Sequence, residues 1–145
     1  MGLALELLKD GFRKMDADDV DGFVAMQAAD CEWSTPDGLL EGPEAVREYV
    51  QRWHDGFPGG VHTIERSYEC GESTVVAEGT WRGTHTGALQ TPAGPVPATG
   101  RDVSLRFCVV VEGDLAAREA KRVSLHMDQL SFLAQLGLIP EPAQA

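Results

Sequence analysis

An α+β fold is the class this sequence predicts, on three observations. Apolar residues recur at helical spacing over the first sixty positions, broken only by a short "CEWS" segment. From residue 61 they alternate with polar residues, and at Asp128 the period returns to about 3.6. Helices first and then a run of antiparallel strands is the α+β pattern. A curved sheet packed against three N-terminal helices, with a short C-terminal helix closing one end, would enclose a space.

The elements follow in order. Leu5, Leu8, Phe12 and Met15 fall on one helical face. "DADD" then breaks the run and offers N-cap acceptors to a second short helix carrying Val20, Phe23 and Val24. "CEWS" reads as a strand and "TPDG" as a turn, where Pro sets φ and Gly relieves it. In "GPEAVREYVQRWHDGF", Pro43 suits a first helical position and Glu44 the positive end of the dipole. Val46, Tyr49, Val50 and Trp53 form its buried stripe. Four β-rich runs follow: "VHTIERSYEC", "STVVAEGTWRGTH", "RDVSLRFCVVVE" and "KRVSLHMD". Between the second and third, residues 86–100 hold three prolines and three glycines, and a long loop without a ladder is expected there. Residues 1–140 read as one domain and 141–145 as a frayed tail.

Composition narrows the function. Twelve Lys and Arg against 23 Asp and Glu leave a net charge of −11. Such a surface repels phosphate backbones and anionic lipid, so nucleic acid and membrane are not expected partners. The N-terminus has neither the basic flank nor the apolar run of a secretory signal, and Cys31, Cys70 and Cys108 have no paired spacing. A cytoplasmic protein with reduced thiols is expected. His54, His62, His85 and His126 lack metal-ligand spacing, and there is no phosphate loop or nucleophile elbow, so neither metal nor cofactor is expected.

Chemistry-bearing residues gather on the last strands. In "VSLRFCVVV", Leu105, Phe107 and Val109 share one face, while Ser104, Arg106 and Cys108 share the other. In "RVSLHMD", Val123, Leu125 and Met127 oppose Ser124, His126 and Asp128. Arg, His and Asp among small residues suggest that the polar face looks into the pocket. The apolar rows then lie outside and predict a homodimer through the sheet. Asp128 is open to two readings: a cap that starts the last helix, or a general acid/base sharing a cavity with His126. Arg106 is a candidate for stabilising negative charge, and His85, at a glycine-flanked strand end, for orienting a ligand or sharing a proton. Trp81 is expected on the pocket wall, with Trp33, Trp53 and Ser104 as further lining.

"GPEAVREYV", "GTHTG", "TGRDVSLRF" and "DQLSFLAQLG" occur in the order seen in SnoaL-like proteins, and the chain resembles that polyketide-cyclase-like branch of the nuclear transport factor 2 superfamily from its first helix to Gly137. The resemblance implies a cone-shaped fold with an apolar pocket and dimerisation through the sheet. It also implies that Asp128 occupies the position of the aspartate which drives an intramolecular aldol closure in the aromatic-polyketide cyclases, with His85 matching a pocket histidine. Ser104 and Arg106 stand where those cyclases carry Gln and His. Epoxide-hydrolase-like relatives hold an Arg between two Asp residues; Arg106 and Asp128 match two of the three, with Cys108 at the third. Isomerase-like relatives place a base before the third helix, near Trp33 and Glu32. The expectation is a cofactor-independent enzyme acting on a small apolar carbonyl compound, most like a polyketide cyclase. The alternatives are a non-catalytic ligand-binding or dimerisation domain, or an isomerase or epoxide hydrolase.

Overall fold

The computed structural model describes residues 2–114 and 116–140, so the expected tail at 141–145 lies outside the described residues. Helices α1 (Leu3–Asp16) and α2 (Val20–Val24) come first. Strands β1 (Gln27–Thr35) and β2 (Gly38–Glu41) form a hairpin before α3 (Pro43–Gly56). Then come β3 (Val61–Cys70), β4 (Thr74–Thr84), the short β5 (Leu89–Thr91) and β6 (Gly94–Val96), β7 (Asp102–Asp114), β8 (Glu119–Met127) and α4 (Gln129–Gln135). The main sheet is ordered β2-β1-β8-β7-β4-β3. Strand β1 runs parallel to β8 and every other neighbour is antiparallel, which makes the sheet mixed.

The helices form where the sequence spacing places them. Leu5 and Leu8 of α1 are buried, with Phe12 and Met15 packed against them. Asp19 starts α2 by accepting from the Gly22 N–H at 2.9 Å, satisfying one of the first-turn donors. Pro43 opens α3, and Val46, Tyr49 and Val50 are its buried stripe. The turn "TPDG" joins β1 to β2 with Gly38 at φ 125, a conformation that side chains resist. Among the described residues no helix is long and apolar enough to cross a membrane.

Two expectations change. The stretch 86–100 is not without a ladder: Leu89–Thr91 and Gly94–Val96 pair as a two-stranded ribbon. Pro95 is tolerated there because this ribbon carries no further strand that needs its missing N–H. Leu89, 3% exposed, pins the ribbon to Phe57.

The second change reverses the sheet. Val103, Leu105, Phe107, Val109 and Val123 are buried beneath the helices, whereas Ser104, Arg106, His126 and Asp128 are exposed on the opposite face. Burial decides this. Each large apolar side chain gains roughly 1.5–3 kcal/mol by leaving water, while burying a guanidinium or a carboxylate costs several kcal/mol per ion. The apolar rows expected to drive dimerisation are thus spent inside the protomer. The outer face carries Glu78, Arg106, Cys108, Arg122 and His126 in their place.

Curvature comes from a bulge facing a glycine. The β3–β4 register slips between Ile64 and Arg66, leaving Glu65 unpaired opposite Gly79 and Glu78. A Cβ on Gly79 would collide with the Thr63 carbonyl and stand 2.8 Å from Phe107 Cζ. The ring of Phe107 therefore occupies the space that the glycine leaves. Gly79→Ala is expected to destabilise the fold by about 1–3 kcal/mol or more, read as a lowered midpoint in urea, because a backbone carbonyl cannot step aside.

Candidate functional site

Two apolar clusters meet under the helices. One gathers α1, α2, β1 and the inner faces of β7 and β8; the other gathers Phe57, Leu89, Val103, Leu105, Phe132 and Leu136. A cavity of about 110 Å³ lies at their seam. Its wall is aromatic. Trp53 and Trp81 stand 5.3 Å apart edge to face, Phe57 and Trp81 5.0 Å, and Trp53 is stacked on Phe57 at 5.8 Å. The floor is Leu105, Phe107, Val109, Leu125 and Met127, the rows that sequence alternation placed outside.

The polar groups of this cavity are not those singled out from the sequence. His62 lines it and pairs through Nδ1 with Asp16 Oδ1 at 2.7 Å. Both Asp16 oxygens also accept from the His62 backbone N–H, each at 3.2 Å. An acid in the last turn of a helix opposes the helix dipole, and the pairing with His62 is what repays Asp16 for that position. The imidazole is further fixed by stacking on Phe12, with centroids 4.7 Å apart, and by an edge contact with Phe107 at 5.7 Å. In the neutral ring, an Nδ1–H donated to the carboxylate leaves the lone pair on Nε2. A second pair, His54 Nδ1 to Asp18 Oδ1 at 3.3 Å, stands nearby, and His54 lines the same cavity. Asp18 adopts φ 58, rare for any residue but glycine.

Tyr49 completes the set. It is 3% exposed and lines the cavity; its hydroxyl lies beside the Trp53 and Thr35 side chains, with no hydrogen bond of good geometry to either among the described residues. Burial pushes its phenol up to about 12, so it remains a proton donor throughout the physiological range. A buried hydroxyl without a partner costs about 1–3 kcal/mol, and a ligand oxygen in the cavity would relieve that cost.

The residues proposed from sequence divide as follows. Trp33, Trp53 and Trp81 line the cavity. Asp128 is an exposed N-cap, accepting from the Ser131 N–H at 3.0 Å, and of its two readings the cap is the one the geometry supports. His126 is exposed beside it on the outer face. Arg106 lies 3.8 Å from Glu65 on that same face, and with both partners solvated the pair contributes little. Ser104 is also outward, its backbone clamped by the Gln135 amide at 2.8 and 2.9 Å. None of these four reaches the cavity, and residues 86–100 contribute none of its lining.

His85 is fully buried and stacked on Phe57, 5.0 Å between ring centres. Its Nδ1 accepts from the Thr99 backbone N–H at 3.2 Å and meets the Thr99 hydroxyl at 3.0 Å. The proton therefore sits on Nε2, which has no partner among the described residues. Desolvation lowers the pKa of His85. A neutral buried imidazole favours the folded state above the unfolded pKa near 6.5 and loses that advantage as pH falls below it, because only the unfolded chain then takes up the proton. Melting temperature is expected to decline between pH 7 and pH 5, with the His85 share at most about 1.4 kcal/mol per pH unit. His85→Gln should flatten that decline.

Fold and cavity together define a cone-type α+β domain that encloses a small-molecule-sized space. The profile of the SnoaL-like domain matches residues 8–114, and the chain belongs to that family. Solved structures agree on the nuclear transport factor 2-like fold. AclR from Streptomyces galilaeus, provisionally described as a hydroxylase, superposes with a TM-score of 0.81 at 16% identity over 97% of this chain and 85% of that one. A provisionally described SnoaL-like polyketide cyclase from Jannaschia sp. CCS1 gives 0.80 at 16% identity over 95% and 94%. A provisionally described polyketide cyclase from Xanthomonas campestris pv. campestris gives 0.79 at 20% identity over 92% and 96%. No curated protein matches the sequence.

Proposed function

We propose that the protein is a cofactor-independent acid/base enzyme that removes a proton beside the carbonyl of a small, largely apolar compound. The observation that carries this reading is the His62–Asp16 pair on an aromatic-walled cavity. The α-carbon gives its proton to His62 Nε2, and the C–H electron pair forms the carbon–carbon double bond of an enolate. Asp16 holds the imidazole in the reactive tautomer and stabilises the imidazolium that results. The Tyr49 hydroxyl donates to the enolate oxygen as charge develops there. An enolate so formed can attack a second carbonyl of the same molecule, which is the aldol closure of a polyketide cyclase, or recover its proton at another carbon, which is an isomerisation. The family membership and the cyclase-like neighbours support the first outcome.

Proton removal can be tested without knowing the natural substrate. Incubation of alkyl phenyl ketones in deuterium oxide should give protein-dependent deuterium at the carbon next to the carbonyl, read as a mass increase. Binding with exchange no faster than the buffer rate across the series would reduce the protein to a ligand carrier.

A further inference from the structure

A second hollow lies beyond the first. It has a volume of about 70 Å³ and sits between α1 and the inner ends of β1, β4, β7 and β8. Four residues, Phe12, Met15, Trp33 and Val109, line both spaces, so they form the partition between them. Met15, unbranched, is the most adaptable side chain of that wall. Two polar side chains of the far hollow, Trp33 and Gln27, are already satisfied. Trp33 Nε1 donates to Gln27 Oε1 at 2.9 Å, and Gln27 Nε2 donates to the Phe23 carbonyl at 3.4 Å. What remains facing the hollow is Ala4, Leu8, Val75, Val111 and Val123. Walls of this kind favour hydrocarbon over water. Ser73, Arg118 and Glu119 form its polar rim, so the apolar stretch is of limited length.

We infer that the ligand is an elongated carbonyl compound, with a ring or carbonyl head among Trp53, Trp81 and Tyr49 and a short alkyl tail that passes Met15 into the far hollow. The inference rests on the proposed reading of the cavity as a carbonyl-binding site. The far hollow is small and holds only a short run of methylenes. It therefore selects chain length rather than merely tolerating it.

The test uses a homologous series from acetophenone to octanophenone, with Kd measured by equilibrium dialysis. Each of the first few added methylenes should tighten binding about fourfold, after which the dependence should flatten. Ala4→Phe fills the far hollow from α1 and should abolish the gain while leaving the Kd of acetophenone within about twofold, since one methylene is already worth fourfold. Ala120→Phe fills it from β8 and gives the same answer should the first variant fail to fold, as checked by thermal melting. Acetophenone binding with no dependence on length, or a dependence that persists in both filled variants, would overturn the tail hollow and leave the carbonyl site standing. No binding at any length would overturn both.

Discussion

His62→Gln is expected to reduce α-deuterium exchange by about a hundredfold or more, the contribution of a positioned general base, while the fold stays intact. Glutamine keeps polarity and approximate size but has no lone pair basic enough to take a proton from carbon. Asp16→Asn should cause a smaller loss with His62 still present. Its amide accepts from Nδ1–H less strongly than a carboxylate and no longer compensates the imidazolium charge. The graded pair is the informative part, because a purely structural histidine would show equal effects of both changes on stability and none on exchange. Asp128→Asn serves as the control. Asn caps a helix about as well as Asp, and the residue lies on the outer face, so exchange and melting temperature should both match the parent. A loss of exchange in that variant would return the chemistry to the outer strand face and displace His62.

Tyr49→Phe should move stability and activity in opposite directions. The hydroxyl is buried without a well-formed hydrogen bond among the described residues, so its removal is expected to raise stability by up to about 1–3 kcal/mol. If the phenol supplies the donor to an enolate oxygen, the same change should slow exchange by about 10²–10³. A residue kept against its own stability cost is the pattern of a functional group. Melting temperature and exchange rate measured on one preparation decide it, and a lowered midpoint with undiminished exchange would make Tyr49 a packing residue.

Much of the fold was legible in the sequence because period and capping chemistry act locally. Leu5, Leu8, Phe12 and Met15 marked α1, Pro43 opened α3, and the change of period at Asp128 located the junction between β8 and α4. The site was less legible, for a reason that lies in the strands. Alternation divides a strand into two faces, yet it does not say which face looks inward. Arg106, His126 and Asp128 were read as cavity groups although the greasier face had more to gain from burial, and a one-residue difference in register exchanges the two. The pairs that do reach the cavity join residues far apart in sequence, Asp16 to His62 and Asp18 to His54, and nothing in local spacing announces them. One signal was present. Asp16, Asp18 and Asp19 cluster where a helix ends, a place that favours cations, and one cap accounts for Asp19 alone. The surplus acids needed partners, and unassigned histidines were the natural ones to seek.

Strand β8 sits between β1 and β7. The hairpin of residues 27–41 therefore has no seat in the sheet until residues 119–127, made some eighty residues later, have left the ribosome. During synthesis the early helices and that hairpin must wait with their greasy sides unmatched, and the last strand inserts as a keystone. Such long-range closure slows folding and leaves a nascent chain open to wrong partners. A chain stopped before this strand loses the seam that joins its two halves, and with it Leu125 and Met127 from the floor of the cavity.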